Sequence, residues 1–164
     1  MVASDELLTI AELAIGLAGF SGVVIAFSYR GKLRPTDRYR FVGLFTQALT
    51  VAFLSFVPFG FYHAGQVGPA IWRASSGVAV LFWLFNTWLI AARLRPDFSA
   101  EEALPKYAEG TLWAFGVLGL LLHLANLAGW PVAPGALFYL AGLVLQLAIA
   151  AFFFASLVLY REPE

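Results

Sequence analysis

Cysteine is absent from this 164-residue chain, so disulfides, thiolate metal sites and cysteine catalysis are all excluded. Charge is scarce as well: 12% of residues are Asp, Glu, Lys or Arg, against about 25% in an average soluble domain. Ten basic residues balance ten acidic ones, which leaves no net positive field to attract nucleic acid. The segment before the first apolar run, residues 1–6, has no basic residue. A cleavable signal peptide carries a positive n-region, so the first run reads as a retained helix. No Gly-x-Ser-x-Gly or His-Glu-x-x-His arrangement occurs, and without a nucleophile or metal motif the chain does not read as an enzyme.

What is present is apolar. Hydrophobic residues make up 61% of the chain and mean hydropathy is +0.81. Five long runs, at about 8–29, 41–64, 70–92, 110–129 and 135–160, each have the length of a bilayer-spanning helix, which takes roughly 20 residues. The expectation is an all-α integral membrane protein: a single domain of five transmembrane helices with little mass outside the lipid.

Charge placement orients this bundle. Nine of the ten Lys and Arg fall on one side of an alternating five-span arrangement, and Arg73 is the exception. Loop 30–40 carries five of them, Arg30 to Arg40, while loops 65–69 and 130–134 carry no charge. The positive-inside rule then places the N-terminus outside and the C-terminus in the cytoplasm. Thr36 is a candidate cap for the second helix, Pro69 and Pro134 open the third and fifth, and Ser99 to Glu102 fits a capping box for a short helix before the fourth span.

Ionisable residues inside a membrane are costly and are functional suspects by default. Glu12, His63, Arg73 and His123 are four such residues, with Asn126 beside the last. On the expected topology all of them lie within roughly 10 Å of the outer boundary, at 1.5 Å rise per residue. Helical phase puts Glu12 on a face with Gly16, Gly19, Val23 and Ala26, and His123 on a face with Gly116, Gly119 and Asn126. Small residues allow close helix approach, so both faces are expected to turn into protein, with these four glycines at helix contacts. A second polar layer toward the cytoplasm comprises Gln47, Thr50 and Asn86. Gln146 sits mid-span as an interhelical bond or a link between the layers. Pro58 removes the amide that would bond the Leu54 carbonyl, with Ser55 as a candidate to cover the loss.

The segment Glu12 to Gly22, with its Ala-Gly-Phe-Ser-Gly ending, is followed by the basic segment Arg34 to Arg40 and then by Trp72-Arg73. This layout resembles that of uncharacterised small bacterial polytopic membrane proteins with an Ala-Gly-Phe-x-Gly first helix. The resemblance covers the first half of the chain. It implies a bacterial cytoplasmic membrane and brings no activity, cofactor or site residue.

The favoured functional reading is a homo-oligomeric channel or transporter-like bundle for a small ion or solute, with Glu12 and His123 lining the path and Arg73 tuning its charge. It needs no cofactor or metal. One alternative is a non-catalytic accessory subunit of a larger membrane complex. Another is a redox subunit holding haem between His63 and His123, the only two histidines. The bland readings of the same residues are a Glu12–Arg73 ion pair, an aromatic belt of Tyr62, His63, Trp72 and Trp130, and a His123 satisfied by Asn126 or a backbone carbonyl.

Overall fold

A computed structural model describes residues 3–28, 35–89, 92 and 106–159. Among these the chain forms five helices: α1 (Ser4–Ser28), α2 (Pro35–His63), α3 (Pro69–Leu89), α4 (Lys106–Ala128) and α5 (Ala136–Leu159). Each corresponds to one apolar run, but the ends differ. α1 begins four residues early, with Asp5 and Glu6 in its first turn, where carboxylates oppose the positive end of the helix dipole. α2 also starts early, at Pro35, so that Thr36 lies inside the first turn instead of capping it. α5 starts after Pro134 rather than at it. The capping box at 99–102 and most of the basic residues that set the expected orientation lie outside the described residues.

Four of the helices, α1, α2, α4 and α5, are long and apolar enough to cross a membrane. α3 has 21 residues, a length of ~31 Å, but Arg73, Asn86 and its tryptophans lower its hydropathy.

α2 and α5 pack on each other at the centre; α1 fills the groove between them on one side, while α3 and α4 close the other. α1 turns Leu7, Ala11, Ala14, Ala18 and Ser21 inward, a stripe repeating every three to four residues. The three helices meet at a small cluster of buried Ala18, Ala48 and Ala150. Toward the chain's N-terminal end of α1, Leu7 and Ile10 join Val51, Leu54, Tyr139 and Leu143 in the main core. At the other end Leu44, Ile149 and Phe153 pack with Leu112 and Phe115.

Polarity is distributed opposite to that of a water-soluble domain. Thr50, Ser75, Asn86, His123, Asn126 and Gln146 are buried, whereas Leu13, Phe20, Phe27, Leu81, Leu121 and Val144 face outward. A helix bundle with an apolar exterior of this extent fits a membrane protein.

Candidate functional site

Arg73 lies in the second turn of α3, where it reaches the end of α4. Its Nε donates to the Leu127 carbonyl at 2.9 Å and its Nη2 to the Ala128 carbonyl at 3.2 Å. The last carbonyls of a helix have no intrahelical partner and carry the negative end of its dipole, so a guanidinium satisfies both. Gly129 completes this cap at φ 73°, its N–H bonding the Ala125 carbonyl at 2.9 Å. A Cβ there would stand 2.9 Å from Arg73 Nη2, so the position needs glycine for both conformation and room.

Arg40 does comparable work at the opposite end. It is buried, donates to the Ser156 carbonyl near the end of α5 at 3.5 Å, and lies 3.6 Å from Asp37.

Asn126 joins three helices. Its Nδ2 donates to Ser76 Oγ at 2.8 Å and to the Trp72 carbonyl at 3.3 Å, and its Oδ1 accepts from the Gly135 N–H at 2.8 Å, just before α5. One turn along α4, His123 is 0% exposed, and neither ring nitrogen has a hydrogen-bond partner. Its ring sits over Gly142 of α5, where an added Cβ would come within 2.5 Å of Nε2. The Tyr139 ring packs edge-on at 5.4 Å between centroids. His123 is therefore not satisfied by Asn126, whose bonds go elsewhere.

Tyr139 was not flagged by the sequence, although a lone phenol in an apolar run must place its hydroxyl somewhere. That hydroxyl donates to the Leu54 carbonyl at 2.7 Å, the group whose helical partner Pro58 removes. Ser55 does not cover this loss, because its Oγ bonds the Val51 carbonyl at 2.9 Å. In the inner layer, Asn86 Nδ2 donates to Thr50 Oγ1 at 3.0 Å, joining α3 to α2. Gln47 is half-buried. Gln146 is 2% exposed and its Oε1 has no partner.

The outer polar residues therefore divide into two groups. Arg73, His123 and Asn126 gather where α3, α4 and α5 meet. Glu12 is exposed on the outward face of α1, across the α2–α5 layer from them, and among the described residues no ion pair reaches it. Within the chain the Glu12 face is not buried and no Glu12–Arg73 pair forms: α1 buries its alanine stripe, which leaves Gly16 and Gly19 with nothing within 4 Å. Gly116 and Gly119, in contrast, stand against Trp83 and against Gly142 and Leu145. His63 is exposed at the end of α2 with its ring edge-on to Tyr62 at 5.7 Å.

The two histidines do not face one another across a haem-sized space. His63 points outward, and Gly142 closes the approach to His123 Nε2. Among the described residues no group of His, Cys, Asp and Glu is placed to hold a metal ion. Hydrogen-bonding capacity is left over at His123, at Gln146 Oε1 and at Ser75 Oγ inside the bundle, and at the Glu12 carboxylate outside it. No protein-family model, curated protein or solved structure matches the chain.

Proposed function

We propose that this chain is an integral membrane protein of a bacterial inner membrane, with five spans, its N-terminus outside and its C-terminus cytoplasmic. On this reading it assembles into a homo-oligomer through α1 and passes a small cation along the shared axis. α3 counts as the fifth span because it has spanning length and three of its polar side chains are served by protein: Arg73 by α4, Asn86 by Thr50 and Ser76 by Asn126. The orientation rests on the one-sided Lys and Arg.

The observation that carries the proposal is the outward Glu12. It lies eight residues into α1, ~12 Å along the helix, beside two glycines with open space in front of them. An ionised side chain costs ~2.5–3.5 kcal/mol at the centre of a span on insertion scales, and a carboxylate facing hydrocarbon nearer the boundary carries a smaller cost of the same sign. A second copy on the glycine face, with water at the common axis, removes that cost. Gly16 and Gly19 let helices approach closely, and a closed cyclic arrangement brings one Glu12 per protomer to the axis. A ring of carboxylates attracts cations. His123, on the other side of the central layer, takes no part in such an axis.

The test pairs mass with flux. In lipid nanodiscs the full chain is expected to be a homo-oligomer. In liposomes it is expected to conduct a monovalent cation or protons, with Glu12→Gln lowering the flux at least tenfold. A monomer, or flux equal to that of empty vesicles, overturns the proposal. A foreign helical subunit retained on the α1 face would instead establish the accessory-subunit alternative.

A further inference from the structure

His123 and Gln146 are buried polar side chains with three unpartnered atoms between them: both imidazole nitrogens and Gln146 Oε1. The large majority of buried side-chain polar atoms are partnered by protein or by ordered water. A neutral imidazole has one N–H to donate and one nitrogen that accepts, so the pair leaves one donor and two acceptors without partners.

Their placement is specific. The His123 ring occupies the gap left by the missing side chain of Gly142. Gln146 is one turn further along α5 on that same face. Neighbours at this spacing have Cβ atoms roughly 5–6 Å apart.

We propose that His123 and Gln146 hold a bound water between them. The water donates to the free imidazole nitrogen and to Gln146 Oε1, or accepts from the imidazole N–H. This site lies within one protomer and does not involve Glu12, so it stands or falls separately from the oligomeric axis.

Solid-state NMR of the full chain in lipid bilayers, with ¹⁵N-labelled histidine, tests it. His63→Asn removes the other histidine, so the remaining ring signals belong to His123. A ring ¹⁵N signal correlated with exchangeable water protons is expected, and Gln146→Leu should abolish or strongly weaken that correlation while leaving backbone signals in place. A ring that correlates only with protein protons, or that is directly bonded to the Gln146 amide, overturns the proposal. A correlation that survives Gln146→Leu at full strength does the same. If Gln146→Leu fails to fold, the wild-type correlation decides alone, because a dry site gives no water proton at His123.

Discussion

Tyr139 and Pro58 lie on different helices, yet the geometry couples them through one carbonyl. Pro58 has no amide hydrogen, so Leu54 C=O lacks its helical partner, and the Tyr139 hydroxyl supplies one at 2.7 Å. Both residues are fully buried, so water does not compete for the site. Tyr139→Phe keeps the ring against His123 and Trp72 and deletes only the donor. A net hydrogen bond contributes about 1 kcal/mol, leaving a buried acceptor unpaired costs about 1–3 kcal/mol, and interhelical bonds measured in a membrane average ~0.6 kcal/mol. Taken together these give an expected loss of about 1–2 kcal/mol, up to roughly thirtyfold in the unfolding constant. The sharper test is a double-mutant cycle. In a Pro58→Ala background the residue-58 amide can bond Leu54, so Tyr139→Phe should cost about 1 kcal/mol less there than in the wild type. Reversible unfolding of purified protein in mixed micelles of increasing SDS fraction measures each corner. Equal costs in the two backgrounds would refute the assignment of Tyr139 as the replacement donor.

Four further outcomes are expected from the same unfolding assay. Arg73→Ala frees two carbonyls at the end of α4 and should cost about 1–2 kcal/mol; Arg73→Lys, with a point charge in place of the fork, should recover only part of that loss. Asn126→Leu unpairs Ser76, the Trp72 carbonyl and the Gly135 amide at once and should cost about 2–3 kcal/mol, more than Asn86→Leu, which breaks the bond to Thr50. Gly142→Ala drives a methyl to within 2.5 Å of His123 Nε2 and should cost about 1–3 kcal/mol through overpacking. Gly16→Ala and Gly19→Ala meet open space and should leave protomer stability within about 0.5 kcal/mol, while lowering the oligomeric mass in nanodiscs.

The number of helices and their approximate spans were legible because each run is long, apolar and separated by polar or turn-forming segments. Helix ends were less legible. Asp5, Glu6 and Asp37 are charged, so a hydropathy reading stops short of them, yet carboxylates suit a helix N-terminus and α1 and α2 extend to include them. Arg73 looked like half of an ion pair because carboxylates are the usual partners of arginine. The partners it finds are main-chain carbonyls, which appear in no side-chain inventory. Tyr139 escaped notice for a related reason: the group it satisfies is a carbonyl 85 positions away, exposed as a need only by the proline four residues after it.

The least legible step was the choice between two stripes on α1. Glu12, Gly16, Gly19 and Val23 form one; Ala11, Ala14, Ala18 and Ser21 form the other, displaced by one or two residues and hence by about 150° around the helix. Both are rich in small side chains, and helical periodicity favours neither. The decision comes from the neighbours. α1 is wedged between two helices, and an alanine from each packs into one cluster: Ala18, Ala48 and Ala150. A glycine face there would leave a void between methyl groups, and the same turn of the helix would push Glu12 toward the apolar core formed by Leu7, Leu54 and Leu143. Burying that carboxylate without a cation would cost more than any gain from closer backbone contact. The glycine stripe and its carboxylate are thereby left outward together, which is why the unpaired charge and the most approachable surface of α1 share one face.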